Sequence, residues 1–179
     1  MVVLASDLFA ERRDIYRGYL KAIARATQDI LITNSYFIPT NRVRRGLIAA
    51  VRRGVRVRVL VPRNNDVKIA QYASRASYES LLKGGVEIYE WLDGVLHGKT
   101  AAVDELWCTA GSFNFDVLSL RNNRELNVAV LDRDSTAALR RRVEQDLLAS
   151  ARVDLEVFKQ RGLVARALEV IFHFLHWLL

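Results

Sequence analysis

The stretch ILITNSYFIPTNRVRRGLIAAVRRGVRVRVLVP, residues 30 to 62, contains a complete strand–helix–strand pattern. Its apolar-rich start and the VRVRVLV run at 55–61 predict two strands. Between them, apolar residues at helical spacing follow Thr40, which suits a helix N-cap, and Gly54 supplies a stop signal. A helix of this length between two strands favours a parallel crossover, so the stretch predicts an α/β fold.

Similar signals lie on both sides of this unit. The further predicted elements are a helix from Ser6 to about Thr27, a helix from about Asp66 to Lys83, strands at 86–91 and 96–103, a strand from Leu106 that ends at Gly111–Asn114, a strand at 124–132, a helix from Asp134 to about Ala151 and a terminal helix. We therefore expect one α/β/α sandwich domain at 1–162, with a mixed, largely parallel sheet. An apolar amphipathic helix is expected at 163–179.

The net charge of +7 is concentrated in the first third of the chain. Residues 1–63 hold thirteen Lys and Arg against four Asp and Glu. This excess suits anionic partners such as lipid headgroups, nucleic acid or phosphate esters, although a solvated helix face rich in arginine has the same composition. The single cysteine, Cys108, excludes an internal disulfide, and the N-terminus lacks the long apolar run of a signal peptide.

Polar groups suited to phosphate chemistry are concentrated in LHGKTAAVDELWCTAGSFN, residues 96–114. On a strand, His97 and Lys99 would face the same side. There the ammonium would neutralise an anion, and the imidazole would attack it or protonate a leaving group. A histidine near a lysine is common on protein surfaces and needs no functional explanation. Six residue types at fixed spacing are not explained by chance surface composition. They are His97, Lys99, Asp104, Gly111, Ser112 and Asn114.

This H-x-K-x4-D-x6-G-S-x-N pattern resembles the HKD motif of the phospholipase D superfamily and matches it without a gap. The resemblance extends over roughly residues 6–150. Segments such as SDLFAERRDIYRGYLKAIARA and NFDVLSLRNNRELNVAVLD look like the C-terminal half of bacterial cardiolipin synthases. The resemblance implies a phospholipase D-like fold and phosphatidyl transfer through a phosphohistidine, with no metal and no other cofactor.

The resemblance also implies a role for each motif residue. His97 would be either the nucleophile or the general acid that protonates the leaving alcohol. Glu125 would hold the other nitrogen of His97 and so fix its tautomer. Asp104 belongs to the motif but looks mainly structural, bracing the hairpin. The implied catalytic set is His97, Lys99, Asp104 and Glu125, and the implied phosphate-binding set is Lys99, Ser112 and Asn114.

The motif supplies only half of an active site. In-line displacement at phosphorus needs a nucleophile on one side and a proton donor on the other, and one imidazole cannot occupy both positions. The other two histidines, His173 and His176, do not begin an H-x-K. Three alternatives remain open: a homodimer, pairing with a separate chain that carries an N-terminal HKD half, or a fragment of a longer synthase.

The resemblance implies a membrane-associated phosphatidyltransferase that takes a phosphatidyl group from phosphatidylglycerol to a second lipid. Alternatives are a phospholipase D or phosphodiesterase that uses water, a superfamily nuclease, and an inactive half retained as a binding subunit. The apolar tail favours a lipid partner over nucleic acid, and would either lie in a membrane interface or dock on protein. The expected location is peripheral, at the cytoplasmic side of a bacterial inner membrane.

Overall fold

The computed structural model describes residues 2–6, 12–121 and 123–175. Within these residues, eight strands form one sheet in the order β1-β7-β6-β5-β2-β3-β4-β8. The strands are β1 (Val2–Ser6), β2 (Asp29–Asn34), β3 (Arg56–Pro62), β4 (Glu87–Trp91), β5 (Lys99–Val103), β6 (Trp107–Gly111), β7 (Glu125–Leu131) and β8 (Ser150–Arg152). The helices are α1 (Arg12–Arg25), α2 (Asn41–Arg52), α3 (Lys68–Lys83), α4 (Val117–Arg121), α5 (Arg133–Leu148), α6 (Leu155–Lys159) and α7 (Leu163–Leu175).

The predicted α/β fold with a mixed sheet is confirmed, but the sheet is not largely parallel. Only the β2–β3 and β3–β4 pairings are parallel, and the other five pairings in the described sheet are antiparallel. Parallel neighbours need a long crossover, which only α2 and α3 supply here. Among the antiparallel pairs, β5 and β6 are joined by a short turn, β6 and β7 are joined through α4, and the other three pairs bring together strands that are not consecutive in the chain.

The core lies on both faces of the sheet, and the alternation of side chains along β2 shows how it is divided. Ile30 and Ile32 belong to a large cluster with residues of α1, α2, α3 and α6. Leu31 points to the opposite face, where it packs with Leu60 and with Val143 of α5. The molecule is therefore a three-layer α/β/α sandwich.

Several element ends differ from the sequence-based predictions. The helix expected from Ser6 begins at Arg12 in the described residues, since Val2–Ser6 form a strand paired with β7, and residues 7–11 lie outside the described part. α5 begins at Arg133, one residue earlier than predicted, because the N-cap residue Asp132 accepts a hydrogen bond from the backbone N–H of Ser135 at 2.8 Å. The predicted end at Ala151 is instead part of the short strand β8.

Helix α7 packs antiparallel to α3 through a polar and aromatic face. Glu169 is 2% exposed and accepts a hydrogen bond from Arg161 at 2.8 Å, with Arg75 of α3 at 3.6 Å. Nearer the end of α7, Phe172 stacks on Tyr72 with ring centroids 5.6 Å apart. The helix thus docks on the protein, as one of the two alternatives proposed.

The opposite face of α7 is exposed and apolar. Its side chains fall on one stripe at helical spacing, and they are Leu163, Val164, Ala167, Val170, Ile171 and Phe174. Residues 176–179, the end of the predicted apolar helix, lie outside the described residues. Among the helices that are described, none is long and apolar enough to cross a bilayer.

Candidate active site

Four strand ends meet at one edge of the sheet, and they carry the motif residues. β5 runs antiparallel to both of its neighbours, so its first residue, Lys99, lies opposite Asn34 at the end of β2 and beside Gly111 at the end of β6. Gly111 in turn pairs with Asn127 of β7, two residues after Glu125. Residues that are far apart in sequence therefore converge on what we term the catalytic edge.

His97 lies in the loop before β5, not on the strand itself. The strand predicted to start at 96 begins at Lys99, so the alternation argument for the common orientation of His97 and Lys99 does not apply. The His97 side chain is exposed, and no residue in the described ranges forms a hydrogen bond with its ring. An accessible imidazole at this edge can reach a substrate that approaches from solvent.

The Lys99 side chain is buried, with 6% exposed, and its ammonium points into the catalytic edge. The ammonium donates to the hydroxyl of Ser35 at 3.2 Å and to the backbone carbonyl of His97 at 3.1 Å. An ammonium has three hydrogens, so one remains for a ligand. Burial lowers the pKa of Lys99 from its ordinary value, while the nearby carboxylates of Glu125, Asp66 and Asp116 act in the opposite direction.

Asn114 presents a buried amide that is not fully satisfied. The residue is 8% exposed, and its side-chain oxygen has no hydrogen-bond partner among the described residues. Buried amide groups are nearly always hydrogen-bonded, and the two ends of an amide can exchange by rotation without a change of shape. The Asn114 side chain is therefore available to a polar ligand.

Glu125 is held by two serines. Oε1 accepts a hydrogen bond from the Ser119 hydroxyl at 2.8 Å, and Oε2 accepts one from the Ser112 hydroxyl. Ser112 also accepts from the backbone N–H of Leu126 at 3.0 Å, so its hydroxyl is turned toward β7. The resemblance implied a contact between Glu125 and His97, but in this structure both carboxylate oxygens are bound by serine.

Asp104 lies at the far end of β5 from Lys99. Its carboxylate accepts from the backbone N–H groups of Thr27, Gln28 and Asp29, at 2.8 to 3.2 Å. It also occupies a turn with a positive φ of 50°, a conformation that aspartate tolerates better than most residues. The Asp104 side chain therefore braces the start of β2 and is remote from the catalytic edge.

We expect Asp104→Asn to lower the free energy of unfolding by about 2 kcal/mol at neutral pH, because charged acceptors of backbone N–H groups are lost. Burial raises the pKa of Asp104, but the hydrogen bonds from Asp29, Gln28 and Thr27 together lower it by more. The pKa of Asp104 is therefore below its ordinary value. This stabilisation is present above the unfolded pKa and is lost as pH falls through the folded pKa.

Urea unfolding of the wild type and Asp104→Asn at about pH 7 and about pH 3 measures this effect, and the difference between them should shrink in acid. Asp14→Asn is the matched control, since Asp14 lies half exposed on α1. Its ion pair with Arg17, at 3.7 Å, is also exposed to solvent and should contribute little to stability. A difference between wild type and Asp104→Asn that is equal at both pH values would contradict the assignment.

Three further polar residues support the edge, and the sequence analysis missed them. Asn34 is fully buried and bonds on both sides of Asn114, donating to the carbonyl of Phe113 at 3.2 Å and accepting from the N–H of Phe115 at 3.1 Å. Ser35 holds Lys99, and Ser119 links Glu125 to the backbone of Asn114. The sequence contained a signal for two of these residues, since the polar pair Asn34-Ser35 directly follows an apolar strand.

The chain is similar to known proteins over most of its length. The family described as "Cardiolipin synthase, PLD-like domain" matches residues 19–147. Cardiolipin synthase B of Escherichia coli strain K12 is 42% identical over 129 residues, which cover 72% of this chain and 31% of the relative. Cardiolipin synthase A of Yersinia pseudotuberculosis serotype O:3 (strain YPIII) is 35% identical over 173 residues, covering 96% of this chain and 35% of the relative.

Among solved structures, Nuc, a phospholipase D family member from Salmonella typhimurium, has the same fold. Its TM-score is 0.72 at 22% identity, and the match covers 85% of this chain and 96% of Nuc. By contrast, the chain spans about a third of the length of the two cardiolipin synthases. Since the family match covers well over half of the chain, this protein belongs to the cardiolipin synthase family of phospholipase D-like domains.

Proposed function

We propose that the chain supplies one half of the active site of a phosphatidyltransferase of the cardiolipin synthase type. The observation that supports this most directly is the catalytic edge itself. It combines an exposed imidazole at His97 with a buried ammonium at Lys99 and a buried, unsatisfied amide at Asn114. A nucleophile or acid beside two donors for non-bridging oxygens is what displacement at a phosphodiester requires.

In the proposed reaction, the imidazole of one half attacks the phosphorus of phosphatidylglycerol. The phosphorus–oxygen bond to the headgroup glycerol breaks, and that glycerol leaves with a proton from the imidazole of the other half. The hydroxyl of a second lipid then attacks the phosphorus of the phosphohistidine, the phosphorus–nitrogen bond breaks to release the first imidazole, and the hydroxyl proton returns to the second imidazole. Because His97 supplies one imidazole only, the second half comes from another copy of this chain or from a separate HKD half.

Lys99, Asn114 and Glu125 have distinct parts in this proposal. Lys99 and Asn114 donate to the phosphoryl oxygens, whose charge grows as the nucleophile adds. Glu125, fixed by Ser112 and Ser119, keeps negative charge near the Lys99 ammonium. Its charge opposes the effect of burial on the pKa of Lys99, and so it favours the protonated form that binds phosphate.

Lipid products distinguish this function from the alternatives. The purified chain is incubated with phosphatidylglycerol vesicles, alone and with an N-terminal HKD half, and its mass in solution is measured in parallel. Cardiolipin plus glycerol supports the proposal, whereas phosphatidic acid as the main product identifies a hydrolase. Cleavage of DNA with no action on lipid identifies a nuclease. No lipid product either from a homodimer of the chain or from its complex with an N-terminal HKD half would refute it.

We further propose that the exposed stripe of α7 contacts a membrane surface. The antiparallel packing of α7 on α3 brings its C-terminal end to the start of α3, because Phe172 stacks on Tyr72 there. Since α3 follows directly after the end of β3, this is the same end of the sheet as the catalytic edge. An apolar face placed there would seat the site at lipid headgroup level, in a peripheral mode.

The double variant Val170→Glu/Phe174→Glu is expected to weaken binding to phosphatidylglycerol vesicles at least about tenfold, since each buried apolar side chain contributes about 1.5–3 kcal/mol. Both side chains are exposed in the structure, so folding should be preserved. Vesicle sedimentation measures the bound fraction. Leu148→Glu/Val157→Glu makes the same chemical change at exposed sites elsewhere, and equal binding by the two double variants would exclude the α7 contact.

A further inference from the structure

A groove of about 700 Å³ lies between α1, α2 and α4. Of the described residues that line it, none is acidic and four are cationic. Three of these cations belong to the basic first third of the chain, on α1 and α2, and α4 supplies the fourth. The cationic residues are Arg17, Lys21, Arg42 and Arg121.

The rest of the lining is apolar or aromatic. Tyr16, Leu20 and Leu120 are half-buried and form the floor between the cations. The Tyr16 hydroxyl is 2.7 Å from the hydroxyl of Thr40, the N-cap residue of α2, and this contact joins two walls of the groove. Cations around an apolar floor suit an anion that also carries hydrocarbon.

Three cations of the groove, Arg17, Lys21 and Arg42, are weakly neutralised by the described part of the protein. Lys21 and Arg42 are exposed, and neither forms an ion pair with a described carboxylate. Arg17 is 3.7 Å from Asp14, but both side chains are half exposed, and such pairs contribute little. The positive potential is thus available to a bound anion.

Helix α4 forms a wall between the groove and the catalytic edge. Its Ser119 is fully buried and donates to Glu125 at 2.8 Å, whereas Leu120 and Arg121 line the groove. An α-helix with its side chains is about 10–12 Å across. The groove therefore lies about one helix width from the Glu125 carboxylate.

We propose that this groove binds the phosphate headgroup of a second anionic glycerophospholipid, the acceptor of the transferred phosphatidyl group. The inference rests on the proposed transferase function. Transfer between two such lipids brings two phosphates to one end of the protein, and only one of them reacts. Lys99 and Asn114 serve the reacting phosphate, so the other requires separate cations nearby. A hydrolase has no such requirement.

Calorimetric titration with dihexanoyl phosphatidylglycerol, below its micelle concentration, tests the site. In a Lys99→Met background, which weakens binding of the reacting phosphate, Lys21→Gln/Arg42→Gln should weaken lipid binding at least about tenfold. Should Lys99→Met fail to fold, the same double variant in the wild-type chain should lose one of two binding events. The control, Arg52→Gln/Arg141→Gln, removes two exposed cations outside the groove and should bind like its parent.

The ligand class is tested by competing probes. Inorganic phosphate or glycerol 3-phosphate binding as tightly as the lipid would overturn the lipid assignment, and so would tighter binding of a short single-stranded oligonucleotide. Equal lipid affinity in the groove and control variants would eliminate the site itself. In assays of transfer, the groove variant should yield less cardiolipin relative to phosphatidic acid. Absence of cardiolipin both from the wild-type homodimer and from the wild-type chain paired with an N-terminal HKD half refutes the proposed function and the acceptor role, while the titration still decides whether lipid occupies the groove.

Discussion

The His97→Ala variant is expected to lose at least about 10³-fold in the rate of cardiolipin formation, because its imidazole would form the phosphohistidine or move the proton of the leaving group. The side chain is exposed and is not hydrogen-bonded within the described residues, so its removal should leave stability nearly unchanged. The loss would therefore be chemical. Lipid product analysis with radiolabelled phosphatidylglycerol, together with thermal unfolding of the same preparation, measures both quantities.

His173→Ala supplies the matched control, since it removes an imidazole of α7 that lies outside the motif. It should retain most of the wild-type rate. Full activity of the His97→Ala chain would remove the basis of the proposed mechanism. If the chain works as a homodimer, mixing inactive His97→Ala with wild type should lower the activity per wild-type chain, because mixed dimers contain only one His97 imidazole.

Gly111→Ala is expected to destabilise the protein by about 3 kcal/mol or more. A Cβ atom at this position would lie 2.6 Å from the Cα of Asn127 and closer still to the carbonyl oxygen of Leu126. Both neighbours belong to the backbone of β7, which cannot move away without breaking its pairing with β6. The glycine of the motif is thus required by the approach of two strands, beside the bonds that hold Glu125.

Chemical unfolding of Gly111→Ala and Gly162→Ala separates this steric effect from the general effect of replacing glycine. Gly162 precedes α7, and an added Cβ there would meet no atom within 4 Å. That substitution should change the free energy of unfolding by less than about 1 kcal/mol. Equal stability of the two variants would show that β6 and β7 separate easily at the catalytic edge.

The long helices and the parallel core strands were predictable because their signals are local, whereas the five-residue helices α4 and α6 were not predicted. Thr40 caps α2 by accepting from Val43, and β3 carries alternating residues that reach both cores. The directions of the later strands were less predictable, since pairing depends on connections and partners far along the chain. β8 has three residues, too few to show a periodicity, and β1 pairs with β7, which is more than a hundred residues away in the sequence.

The candidate site shows a similar division. The motif identified His97, Lys99, Ser112 and Asn114, because their spacing is fixed in the sequence. It did not reveal that Asn34 brackets Asn114, or that Ser119 binds Glu125, since those contacts arise from folding. It also grouped Asp104 with residues from which the length of β5 separates it.

The pairing of β1 with β7 bears on how the protein associates. β1 forms the rim of the sheet and covers the hydrogen-bonding groups of β7 from Glu125 to Ala129. Without those first residues, β7 would become an open template for the strands of other molecules, with Leu126 and Leu131 already exposed on it. Deletion of β1 should therefore promote aggregation through the exposed edge of β7.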